Sequence, residues 1–240
     1  MALPKLDTPK HSCILPSNGQ MVEFRPFLVG EQKMLLIAQE SENKNDIIRE
    51  MMRLIDTCTD NVDVRKLPSI DIEFLFLQLR IKSIGETSKV TINCEDENCE
   101  GDNDITLDLE SAKVIEPEEK ISPIVKLTNN VSIELQYPSY SMMQNLILNP
   151  DTGEIPTSEM FKIISKCVVS VIDGDEVLGR EDFTEKELTS FIDSMSSLMF
   201  NDVQKFFDSS PKIVIEHDYT CSVCEQNSHL KLEGLGSFFG

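Results

Sequence analysis

Residues 90–111, VTINCEDENCEGDNDITLDLES, and residues 218–237, DYTCSVCEQNSHLKLEGLGS, follow one plan. A strand leads into two cysteines, a Glu follows the second cysteine, and a strand returns. In each copy the first core-type residues of the returning strand lie six and eight positions past the second cysteine, at Ile105 and Leu107 and at Leu230 and Leu232. A cysteine pair in such a turn forms a knuckle whose backbone amides stabilise thiolates. Two knuckles complete the tetrahedral four-sulfur shell of structural Zn²⁺. Cys94, Cys99, Cys221 and Cys224 are therefore expected to bind one structural Zn²⁺ in a discontinuous zinc-ribbon-like unit. The first pair is spaced CxxxxC and the second CxxC, with 121 residues between Cys99 and Cys221. Such a site requires distant parts of the chain to meet, closes a long loop, and couples folding to metal binding. Two alternatives stay open: a redox pair at Cys221 and Cys224, or two pairs of buried free thiols.

Outward from the cysteines, the apolar periodicity alternates between strand and helix. Residues 11–27 predict two short strands around a Ser17-Asn18-Gly19 turn, because Asn-Gly supplies the positive φ angles of a tight hairpin. Helical spacing from Gly30 to Cys58 predicts two helices broken near Ser41 to Lys44. Ser69 to Ile84 reads as the strongest helix, with Pro68 before it, Ser69 as N-cap, Asp71 and Glu73 in the first turn and Gly85 as a stop. Its apolar residues form too broad a stripe for burial on one side only. Val125 to Leu135 predicts a hairpin across Asn129-Asn130. Helical spacing returns at Ser141 to Leu148, Ser158 to Cys167 and Glu185 to Phe207, with a strand pair at 168–172 and 176–178 turning at Asp173-Gly174. Lys212 to Thr220 is a last strand delivering the second cysteine pair. The fold class is α+β, mixed helices and short antiparallel strands. The domains are expected at 1–86 (hairpin plus helical region), 87–114 with 212–240 (the discontinuous zinc-knuckle unit) and 115–211 (an α/β insertion).

The 240 residues suffice for a sizeable core, and 22 Lys+Arg against 42 Asp+Glu give a formal charge of -20. That field repels phosphate backbones and anionic lipid, so no nucleic acid or membrane partner is expected. No window approaches the roughly 18 apolar residues of a membrane span, and the start lacks a secretion signal. A cytoplasmic setting and reduced cysteines follow as expectations. Cys13, Cys58 and Cys167 sit in apolar settings and read as core packing. His217 and His229 flank the second pair, but four sulfurs already fill a tetrahedral shell. No phosphate-binding loop, nucleophile elbow or HExxH helix occurs. Acidic groups such as Glu118-Glu119 and Glu95 to Glu97 read as solvated surface, so no enzyme is expected. Leu235, Phe238 and Phe239 in GLGSFFG form either a docking segment or one that folds back on the zinc unit.

The opening MALPKLDTP, the stretch EFRPFLVGEQKMLLIAQES at 23–41, the helix IEFLFLQLRIKSIGE at 72–86 and the closing knuckle with EGLGSFF resemble the baseplate protein family of T4-type tailed phages. The resemblance implies a baseplate hub subunit or hub assembly factor, made late in infection and acting in the host cytoplasm while the tail is built, with virion association open. It implies other baseplate hub or tail proteins as partners and leaves homo-oligomer formation open. The family's knuckle follows a CxxCG plan; here Glu225 stands in place of the Gly and the first pair carries two extra residues. The alternative is a zinc-ribbon nucleic-acid-binding or regulatory protein. Such a module needs Lys, Arg and exposed aromatics around the ribbon, where this chain has Glu95, Asp96, Glu97, Glu100, Asp102 and Glu225.

Overall fold

In the computed structural model, residues 7–40, 44–94, 96, 99–117, 121–143 and 156–234 are described. The elements run β1 (His11–Ile14), β2 (Met21–Phe24), α1 (Val29–Glu40), α2 (Lys44–Cys58), β3 (Thr59–Asp60), α3 (Ser69–Ser83), β4 (Thr87–Asn93), β5 (Asp102–Asp108) and β6 (Lys113–Ile115). They continue with β7 (Ile124–Lys126), β8 (Val131–Leu135), α4 (Tyr140–Met143), α5 (Thr157–Cys167), β9 (Val168–Asp173), β10 (Glu176–Gly179), α6 (Glu185–Asp193), α7 (Ser197–Asp208), β11 (Lys212–Thr220) and β12 (Asn227–Glu233). Every strand pairing among them is antiparallel, so the class is α+β, as the periodicity predicts.

The chain divides into two compact units, residues 1–64, 70–115 and 211–240 forming the first and residues 65–69 and 116–210 the second. The first is organised around α3. Leu75, Leu77 and Leu79 are all buried, as are Ile70, Ile72, Phe76 and Ile81, so the helix packs on more than one side. Each such leucine contributes roughly 1.5–3 kcal/mol through removal from water. Gly85, at φ +132°, then turns the chain toward β4 in a conformation that favours glycine. The β1–β2 hairpin closes where expected, with Gly19 at φ +73° and the Leu15 N–H donating to the Gln20 carbonyl at 2.9 Å. Two further hairpins complete the unit, β4–β5 and β11–β12, and β11 also pairs with β6. The chain thus leaves the unit after one strand and re-enters it on the neighbouring strand. Leu230 and Leu232 are only half-buried, unlike Ile105 and Leu107.

The second unit holds the sheet β10-β9-β8-β7 with α5, α6 and α7 packed on a core that includes Ile133, Leu135, Val168, Leu188, Val203 and Phe206. The single helix expected over Glu185 to Phe207 is two helices. Ser194 ends the first by donating to the carbonyls of Ser190 and Phe191. Ser196 opens the second, its side chain accepting from the Met199 N–H. Such caps compete locally with a continuous helix. Of the helix expected over Ser141 to Leu148, residues 144–148 lie outside the described residues, as do Ser41, Glu95, Glu97, Glu118, Glu119 and the 235–240 segment.

Asp71, in the first turn of α3 as expected, is fully buried. Its carboxylate reaches back to the β1–β2 turn, accepting from the Ser17 N–H at 3.0 Å and from the Ser17 hydroxyl. Burial raises its pKa, opposed by those two hydrogen bonds. Because the folded-state pKa lies above the unfolded value of 3.8, this group's contribution is fully present below that value and is lost as pH rises through the folded-state pKa. Asp71→Asn removes the titration and leaves the amide oxygen to accept from Ser17. Urea unfolding should show the variant gaining on the natural chain from pH 4 to pH 7; a difference independent of pH would refute the burial cost.

Candidate metal centre

Both cysteine pairs of the first unit sit at hairpin tips. The β4–β5 ladder ends at the Asn93–Asp102 pair, with Cys94 and Cys99 in the connection. The β11–β12 ladder ends at the Thr220–Asn227 pair, with Cys221 and Cys224 beyond it. Backbone hydrogen bonds close each tip: Cys94 N–H to the Gly101 carbonyl at 2.8 Å, and Cys221 N–H to the Gln226 carbonyl at 2.9 Å. Glu225 N–H donates to the Cys221 carbonyl at 3.1 Å, with Glu225 itself at φ +60°. That left-handed conformation, cheap only for glycine, costs a residue with a Cβ about 1–2 kcal/mol. It explains in physical terms why a CxxCG pattern suits a knuckle.

The two tips bring all four sulfurs together, each within 4.8 Å of the others. Two of the sulfur pairs that run between the knuckles are Cys94 to Cys224 at 3.7 Å and Cys99 to Cys221 at 3.8 Å. A metal bound to sulfur at about 2.3 Å in a tetrahedron needs sulfur separations of about 3.8 Å. A disulfide needs sulfurs at about 2.05 Å, so neither pair is bonded. The group contains no histidine, and it can hold a metal ion with four like donors.

The protons of the cluster follow from its hydrogen bonds. Cys221 is drawn down to about 6, first by the amides of Cys224 and Val223 that point at its sulfur. At Cys94 the Asp96 amide acts in the same direction but is outweighed by lost hydration and by proton sharing with Cys221, Cys224 and Cys99, and the thiol stands at about 12. Cys99 is raised despite the Gly101 amide, again by lost hydration and neighbouring thiols. Four adjacent thiolates repel, so all four lose their protons together only when a cation replaces them. Cys221 is buried at 1% exposure, which suits a metal ligand better than a thiol that must meet a redox partner. The other cysteines are raised mainly by burial, Cys13 to about 11 and both Cys58 and Cys167 to about 12.

Two further residues hold the knuckles against each other. Asn103 is buried on β5, with its Oδ1 accepting from the Ser222 N–H at 2.8 Å. Its Nδ2 faces the Gly101 carbonyl at 3.3 Å and the Cys221 sulfur at 3.7 Å. One amide side chain therefore ties both tips and donates toward a candidate ligand. Gly101 provides the clearance: a Cβ there would stand 2.9 Å from Val223 Cγ2 and 3.1 Å from the Cys221 sulfur. Neither residue appears among the expected site residues, although alternation along β5 puts Asn103 on the same inward face as Ile105 and Leu107. A polar residue on that face requires buried partners.

The sequence model of a family described as T4 bacteriophage base plate protein matches residues 8–240. No curated protein and no solved structure is detectably similar to the chain.

Asn103→Ala should leave all four cysteines in place yet weaken metal binding by about 10–100-fold, the usual range for a group that orients ligands from behind. Competition between the protein and a chromophoric chelator measures this directly. Unchanged affinity would show that the two tips need no such tie.

Proposed function

The chain belongs to the T4 bacteriophage base plate protein family, and on that premise we propose that it is a non-enzymatic baseplate hub component or hub assembly factor. It acts by binding other tail proteins while the tail is built in the host cytoplasm; as a hub component it stays in the virion's tail baseplate, and as an assembly factor it leaves. Segments 87–114 and 212–240 serve as one unit clamped by a structural Zn²⁺ on Cys94, Cys99, Cys221 and Cys224. Four cysteine sulfurs suit Zn²⁺ and leave no open position at which a substrate would bind.

The observation that carries the interaction role is α1. Its only buried side chain is Ala38, while Val29, at 82% exposure, Met34, Leu36 and Ile37 face solvent together with Leu28 before the helix. A helix that leaves its apolar residues exposed is typical of a surface that a protein partner covers. Glu31 does not interrupt this face, since it pairs with Arg25 at 2.7 Å and accepts from the Leu28 N–H. The exposed acids Asp102, Asp104 and Glu225 around the knuckles, with the overall charge of -20, favour protein over nucleic-acid partners. No helix among the described residues is long and apolar enough to cross a membrane.

Metal analysis of protein purified without chelator should find about one zinc per chain. Metal-free protein with four reactive thiols would rule out the clamp. The tagged chain recovered from infected cells should bring tail proteins with it. Leu36→Glu combined with Ile37→Glu should reduce that recovery at least tenfold while circular dichroism stays unchanged. Recovery of nucleic acid without tail proteins would overturn the assembly role.

A further inference from the structure

Helix α1 carries Glu31, Lys33 and Glu40 as its charged residues, and they are not placed alike. By helical periodicity Val29, Lys33, Leu36, Ile37 and Glu40 share the face opposite the buried Ala38, and all five are exposed. Glu31 lies off this face, paired with Arg25 at 2.7 Å. The face is therefore formally neutral on a chain of charge -20. Lys33 and Glu40 stand about 10 Å apart along the helix axis, too far to pair with each other. Leu36 and Ile37 lie midway between them. A cation and an anion placed evenly about an apolar centre are self-complementary: turned end for end, the same face sets each cation opposite an anion.

We propose that α1 packs antiparallel against α1 of a second copy of this chain, with Leu36 of each copy against Ile37 of the other at a twofold axis. Lys33 of each copy then faces Glu40 of the other, so two identical ion pairs flank the apolar centre. A slip of one helical turn breaks both pairs, which fixes the register. Charges elsewhere on the two chains are screened beyond roughly 8 Å at physiological salt, so a neutral face is where one copy can approach another. The contact is one helix wide, which makes the association weak and concentration-dependent. It rests on the reading of α1 as an interaction surface and gives that surface its occupant. Other tail proteins meet the paired chains and engage both identical copies at once.

The test is sedimentation of the full chain as purified, over a concentration series reaching about 100 µM, where a monomer–dimer equilibrium is expected. Lys33→Glu and Glu40→Lys each set like charges together at both pairs, and each should weaken association about tenfold or more. Combined in one chain, the two changes restore opposite charges and should return the dissociation constant to within about threefold of the natural value. A water-soluble carbodiimide should join Lys33 to Glu40 between isotopically distinct copies. A chain that stays monomeric, single variants that associate normally, or a double variant that stays weak would overturn the pairing. A monomer that still recovers tail proteins through Leu36 and Ile37 overturns the pairing and leaves α1 to a different partner. A dimer with this charge dependence that recovers no tail protein supports the pairing and counts against the assembly role alone.

Discussion

Four cysteine sulfurs that lie within 4.8 Å of one another set the terms for the first unit. Without a cation they must share protons, because adjacent thiolates repel; with one, the same geometry becomes a closed shell. The backbone is already arranged for the second state, since amides of Val223 and Cys224 point at Cys221 and the tips meet across Gly101, where no Cβ fits. Asn103 then fixes the approach, accepting from one knuckle and donating to the other. The cluster is thus a product of two hairpins positioned by the packed body beneath them, and any ion it binds reports on that packing.

The hairpins and the knuckles were legible because each rests on short-range rules. Asn-Gly and Asp-Gly turns demand positive φ, and alternation places Ile105 and Leu107 inward, where the structure has them. The matched spacing after the second cysteine of each pair correctly brought four sulfurs from distant segments to one point. The outcomes that sequence reading missed depend on contacts across the fold. Asp71 reads only as an acid in the first turn of a helix, and its burial against the β1–β2 turn has no local sign. Leu230 and Leu232 read as core, but on β12 they are only half-buried. The β6–β11 pairing joins segments nearly a hundred residues apart and leaves no local trace. The break between α6 and α7 had a local signal, two serines flanking Met195, which the strong apolar period on either side overrode.

The two units differ in how their helices use apolar residues. In the second, α5, α6 and α7 bury Ile164, Leu188, Ile192, Val203 and Phe206 in one core, while Leu198 on α7 stays exposed. In the first, α3 buries nearly everything it carries, while α1 buries almost nothing. The exposed side chains of α1 make a patch of the kind that a protein partner covers.

The wide separation of the two knuckles also has a temporal meaning. Cys94 and Cys99 leave the ribosome first, and at ordinary rates of synthesis the 121 residues that follow take on the order of ten seconds to appear. During that interval only half of the donor set exists, too few sulfurs to retain an ion firmly. A metal ion held by all four sulfurs would thus be captured only after translation has passed Cys224, and a polypeptide cut short before that point lacks the full set of donors.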